Sequence, residues 1–146
     1  MTAEDIITQL KTILTNDNTL KAYIKAIFVG DRQRIYGDTF PCIVIEVISD
    51  RLIQRYRGNI VENNLEINII PAVQISDRDK ALIGDATIKG IIDVISHIKT
   101  AINSQYPSLN KKCLYFDLST EEIGDFPDLN GKYAVIKMNV MYREAI

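Results

Sequence analysis

Pro41-Cys42-Ile43-Val44-Ile45-Glu46-Val47-Ile48 is the stretch that decides the fold class. It is rich in β-branched residues, nearly unbroken in hydrophobicity, and entered through a proline. That pattern predicts a central strand covered on at least one face. Upstream, Ala26-Ile27-Phe28-Val29 is a shorter β-leaning run that ends at Gly30, and Gly37 and Pro41 flank a turn. Downstream, Leu65, Ile67 and Ile69 alternate with Glu66 and Asn68, the pattern of a half-buried strand, which Pro71 is expected to end.

Two helical patterns flank these strands. Ile6, Ile7, Leu10, Ile13 and Leu14 form one stripe at three- and four-residue spacing. Thr2 is placed to cap that helix, with Glu4 and Asp5 in its first turn, where negative charge meets the helix dipole favourably. Asn16-Asp17-Asn18 breaks it, and a short second helix is expected through Leu20, Tyr23 and Ile24. Ala81, Gly84, Ile88, Ile91, Ile95, Ile98 and Ile102 form a second stripe. It predicts a long helix from Ser76 to about Ser104, with Asp77 and Asp79 in its first turn, closed by Tyr106-Pro107-Ser108. Such a helix would be roughly 40 Å long. A strand from Cys113 to Leu118, a polar acidic loop (Thr120, Glu121, Glu122, Asp125, Asp128), a turn at Asn130-Gly131 and a last strand from Lys132 to about Arg143 complete the chain. In that last strand Ala134, Ile136, Met138 and Val140 share one face. The order predicts an α+β domain over residues 1–146: a mainly antiparallel sheet packed against one long helix and an N-terminal helix, with a protruding β-hairpin or arm.

Composition sets the outer bounds. The chain has 146 residues, 47% hydrophobic and 25% charged, which suits one globular domain with a real core. A net charge of −2 lacks the basic signature of a protein that grips nucleic acid across a broad face. Met1 to Leu10 has neither a basic n-region nor an apolar h-region, and no apolar run approaches the roughly 20 residues of a membrane span. No membrane association is expected, and a cytoplasm-like environment is. Cys42 and Cys113, both inside apolar runs, are expected as buried free thiols.

No catalytic constellation stands out. His97 is the one histidine, near the edge of the long helical stripe, and reads as a boundary residue with one ring nitrogen bonded and the other in water. It has no second histidine for a metal pair, and neither cysteine lies within helical reach. Neither G-x-S-x-G nor a phosphate-binding loop occurs. Asp117, Glu121 and Glu122 could pair as acid and base, yet tryptophan is absent and the tyrosines are dispersed, so no aromatic cleft accompanies them. No cofactor, metal or enzyme activity is expected.

The remaining feature is Ser49 to Asn64, read as a protruding hairpin or long flexible loop carrying Arg51, Arg55, Tyr56 and Arg57. Arginine and tyrosine are enriched as desolvated anchors at protein interfaces, although the same arginines also suit a solvated edge. The acidic stretch with Glu121, Glu122 and Asp125 is expected, on charge signs, to be the hairpin's complement on a neighbouring copy, in the head-to-tail manner that closes rings.

In layout the chain resembles the tail terminator and neck proteins of tailed bacteriophages. The likeness is carried by the amphipathic first helix, Ile27-Phe28-Val29-Gly30, Ile35-Tyr36-Gly37 and Phe40-Pro41-Cys42-Ile43-Val44-Ile45-Glu46. It continues through an extended hairpin, Leu65-Glu66-Ile67-Asn68-Ile69, one long helix and two closing strands with Tyr133-Ala134-Val135-Ile136-Lys137-Met138. The resemblance implies a non-catalytic virion subunit, made in the host cytoplasm. Copies form a ring, commonly a hexamer, at the head-proximal end of the tail. Such a ring stops tail-tube polymerisation and joins the connector, while DNA passes through its lumen without sequence-specific binding. A head-completion or stopper protein of the neck, or a small intracellular binding module, would carry the same features.

Overall fold

Cys42 opens a strand that runs far past Ile48, to Tyr56, and turns back through a second strand of equal length, Ile60–Gln74. These are β2 and β3 of a computed structural model that describes residues 2–31, 35, 39–75, 82–84, 89–126 and 129–145. With β1 (Ala26–Val29), β4 (Tyr115–Phe126) and β5 (Gly131–Ala145) they form a five-stranded sheet in the order β1-β2-β3-β5-β4. Only the β1–β2 pair is parallel. Helices α1 (Ala3–Asn16), α2 (Asn18–Lys21) and α3 (Ile91–Asn103) accompany the sheet. The fold is α+β, as the order of elements implies.

The amphipathic reading of α1 holds at both ends. The Thr2 side chain accepts from the Asp5 N–H while Asp5 accepts from the Thr2 N–H, a reciprocal capping box. Ile6, Leu10 and Leu14 are buried. Asp17 ends α1 and caps α2, accepting from the Leu20 N–H at 3.0 Å. Alternation then sorts the sheet into two faces. Ile43, Ile45, Leu65, Ile67, Ile69, Ala134, Ile136, Met138 and Val140 pack with the helices in the main core. Cys42, Val44, Ile70, Ala72 and Val135 form a smaller cluster on the other face with Ile35 and Phe40. Gly131 is flush against the Phe40 ring, where a Cβ would overlap it. Fully burying one such aliphatic side chain contributes about 1.5–3 kcal/mol.

Four expectations need correction. The long helix is not continuous: α3 has 13 residues, roughly 20 Å, and Gly90 before it is extended (φ −77°, ψ 167°). Gly84 has a positive φ of 83° and forms an antiparallel bridge with Lys89. A Cβ on Gly90 would lie 2.5 Å from Gly84 N, so the two glycines permit this close approach. Ser76, Asp77, Asp79, Ala81 and Ile88 lie outside the described residues, as do Tyr36, Gly37 and Asp128. Pro71 does not end β3, which continues to Gln74. The β3–β5 register passes from Ile69↔Ile136 to Ala72↔Tyr133, stepping over Ile70 and the proline that has no N–H to donate. The second helix stops at Lys21, short of Tyr23 and Ile24.

The fourth correction concerns the acidic loop. Thr120, Glu121, Glu122 and Asp125 lie within β4, which continues from Leu118 to Phe126 beside β5. An edge strand has one side in water, so it needs little hydrophobicity and carries charge readily. A shift between Thr120 and Glu122 leaves Glu121 as the extra residue of a bulge.

Candidate functional site

Past Leu65 the sheet projects as a three-stranded arm. Its cross-sections run Arg51–Asn64–Met141, Leu52–Asn63–Tyr142, Arg55–Val61–Glu144 and Tyr56–Ile60–Ala145 across β2, β3 and β5. The stretch read as a hairpin or flexible loop is thus a paired hairpin, and β5 adds a third strand the sequence reading did not assign to it. Arg57-Gly58-Asn59 makes the tip, with positive φ at Gly58 (80°) and Asn59 (61°). Two register shifts, between Val47 and Ser49 and between Leu52 and Gln54, leave Ile48 and Ile53 as extra residues on β2.

The arm is held on both faces. On the helix side, the Tyr142 hydroxyl donates to Asp50 at 2.6 Å, and the Asn63 amide donates to Glu144 at 3.0 Å. Tyr142 is fully buried, and burial, then the bond to Asp50, pushes its hydroxyl pKa well above the ordinary tyrosine value. On the opposite side, Arg143 stacks on the Tyr56 ring at 4.6 Å and approaches Glu62 at 3.5 Å. Lys137 pairs with Glu66 at 3.0 Å. This second face is polar and carries both signs of charge.

The residues singled out from sequence distribute as follows. Tyr56 lies under Arg143 within its own chain, whereas Arg51, Arg55 and Arg57 are exposed and make no ion pair among the described residues. Glu121 accepts from the Ser119 hydroxyl at 2.8 Å, Glu122 from Tyr133 at 2.6 Å, and Asp125 pairs with Lys132 at 2.7 Å. Arginines and acids are not brought together within one chain. Two strands separate β2 from β4. The arginines also lie towards the Tyr56–Ile60 end, the acids towards the Phe126–Gly131 end. Arg51 is level with Tyr115, so it lies roughly 20 Å from Glu121 along the strands and about 14 Å across them. Contact between the two charged segments therefore requires a second copy.

The side chains weighed for catalysis do not line either of the grooves beside α1 and α2. Cys42 and Cys113 are buried free thiols. Burial alone raises Cys113 to about 11 and, outweighing a bond from Thr39, raises Cys42 as well. A thiol held protonated is a poor nucleophile. Asp117, Glu121 and Glu122 are exposed along β4. An open groove of about 590 Å³ runs along α1 beside Glu4, Ile7, Lys11 and Val29, and includes none of them. His97 Nδ1 lies 2.7 Å from the Tyr23 hydroxyl, linking α3 to the segment after α2. Among the described residues no group of His, Cys, Asp or Glu is placed to hold a metal ion, and no helix is long and apolar enough to cross a membrane.

No family model matches the chain, and no curated protein matches it either. The surface must therefore be read on its own chemistry. Leu52, Ile53 and Ile60 on the arm, and Val47 and Ile48 at its root, are 39–51% exposed. Clustered apolar side chains on one projecting element mark an interaction site. Sequence reasoning found the arginines, but missed Asp50, Asn63, Tyr142 and Glu144. A two-residue step from Leu65 to Asn63 and from Val140 to Tyr142 was the signal that would have placed two of them inward.

Proposed function

We propose that this chain is a structural subunit of a phage neck or tail, a tail-terminator-like protein that works by closing into a ring and not by catalysis. The observation that carries the reading is the arm: three strands projecting past the core, with exposed apolar residues and unpaired arginines at one end of the sheet. Acids occupy the edge strand at the other end. Surfaces that complement each other at two ends of one subunit make head-to-tail contacts, which close into rings when the rotation allows. The layout behind the family resemblance also supports it: an amphipathic first helix, an extended hairpin, a helix and two closing strands. The polar face with Lys137–Glu66 and Arg143–Glu62 has the mixed charge expected of a lumen through which DNA must slide, since dense cationic contacts would hold it. The helices then lie outside. The proposed partners are further copies of the chain, the tail tube protein below, and a connector or stopper protein above.

The test is native mass spectrometry over a concentration series, followed by electron microscopy of tail tubes assembled with and without the protein. A closed oligomer, commonly six copies, and tubes of limited length capped at one end are expected. A stable dimer that never grows, together with tubes of unchanged length, would refute the proposal.

A further inference from the structure

We infer that neighbouring copies join by strand addition: β4 of one copy pairs antiparallel with the arm portion of β2 in the next, so that the sheet continues between subunits. This rests on the ring reading above. It names the backbone edges that make the contact, instead of a loop touching an arm.

Two edges of the sheet are open among the described residues. β1 pairs with Cys42–Ile45, the first four of the fifteen residues of β2, and leaves Val47 to Tyr56 without a strand neighbour on that side among the described residues. The outer edge of the twelve-residue β4 is equally without one. Their lengths match to within two residues. Their charges are opposite: Arg51 and Arg55, with Arg57 at the tip, outnumber Asp50 on one, and Asp117, Glu121, Glu122 and Asp125 line the other. Each edge also exposes apolar side chains, Leu52 and Ile53 on β2 and Tyr115 and Ile123 on β4. Open edges with unpaired N–H and C=O groups are templates for another strand, and charge of one sign prevents each from pairing with itself.

Strand direction and stagger agree with closure. β2 and β4 run antiparallel within one sheet, so copies placed side by side in the same orientation make an antiparallel ladder at the junction. The register puts Arg51, Asn64, Met141 and Tyr115 on one level. Bringing Arg51 to Glu121 requires a slip of about six residues, roughly 20 Å at about 3.3 Å each. The same slip spreads β4 along the open part of β2 and stops it where β1 begins. Four strands at about 4.8 Å are roughly 19 Å wide. Slip and width together tilt the strands by about 45° to the ring axis, at the upper end of the 35–45° typical of closed barrels.

The experiment uses two full-length variants, Arg51→Glu/Arg55→Glu and Glu121→Arg/Glu122→Arg, with circular dichroism to show that both fold. Native mass spectrometry of each alone is expected to place the assembly midpoint at roughly tenfold or more higher protein concentration. Mixing them is expected to restore it, because each reversed edge then meets a reversed partner. Hydrogen exchange of the wild type is expected to slow at residues 47–56 and 115–126 on assembly. A wild type that assembles while its variants assemble equally well overturns strand addition and leaves the ring reading standing. Impaired variants that mixing does not rescue overturn it too. A wild type that neither assembles nor caps tubes overturns both.

Discussion

Replacing Tyr142 with phenylalanine removes one hydroxyl from the root of the arm and leaves a fully buried ring in place. That hydroxyl donates to Asp50 at 2.6 Å, joining β5 to β2 across β3. A hydrogen bond to a charged group contributes about 1.5–3 kcal/mol net. Asp50 is exposed and can turn to water when the donor is lost, which sets the expected loss at the lower end, about 1–2 kcal/mol. For a chain of this length that is a fall of roughly 3–8 °C in Tm. The assay is urea and thermal unfolding of the wild type, Tyr142→Phe, Asp50→Ala and the double variant. A coupling energy of about 1 kcal/mol between the two sites is expected, together with faster amide exchange at residues 50–56. Tyr106→Phe serves as control, since Tyr106 is 59% exposed. Tyr142→Phe unfolding with the wild type, or the two single losses adding within about 0.3 kcal/mol, would refute the reasoning.

Further outcomes follow from the same packing. Gly90→Ala drives a methyl into the backbone of Gly84 and Leu82 and is expected to cost about 1–3 kcal/mol, read as a lower urea midpoint. Ile98→Ala, at a fully buried position in α3, should cost about 2–5 kcal/mol; a loss below 1 would show that this core is not packed as described. Stability should decline with alkali. Cys113 is raised from 9.0 to about 11, and Cys42 and Tyr142 are raised too, so the unfolded chain releases these protons first. The stabilisation is complete below about pH 9 and is lost as pH climbs through the folded values, which urea midpoints from neutral to alkaline pH will register. Ellman's reagent should react slowly with the native protein and with both thiols once it is unfolded, whereas a rapid native reaction would revive a thiol nucleophile.

What the sequence made legible depended on how cleanly burial imposes a period. α1 and the inward face of β5 have one face on the core, so spacing alone located them. The hairpin was harder to tell from a flexible loop, because the bulges at Ile48 and Ile53 shift parity twice within β2. β4 was truncated for a different reason: its outer side meets water, and its acids looked like a loop although β5 holds their backbone. Gly84 and Gly90 sit where an uninterrupted apolar stripe suggested one long helix, and the stripe carries no information about their non-helical backbone. For the candidate site, Arg51, Arg55, Tyr56 and the acids were visible as charge patterns. Their placement at opposite ends of one sheet depends on long-range pairing, which local spacing does not encode.

The position of β5 has a consequence for how the molecule is made. It follows every other strand in the chain yet lies between β3 and β4. Until residues 131–145 have been synthesised, β4 has no neighbour in the sheet and β3 has only β2. Until then the part of the β2–β3 hairpin beyond β1 is a two-stranded ribbon, marginal by itself in water. The β3–β5 pairing spans much of the chain, and contacts of such separation form slowly. Translation thus withholds the finished arm and the paired acidic strand together, and both are completed by the same fifteen residues.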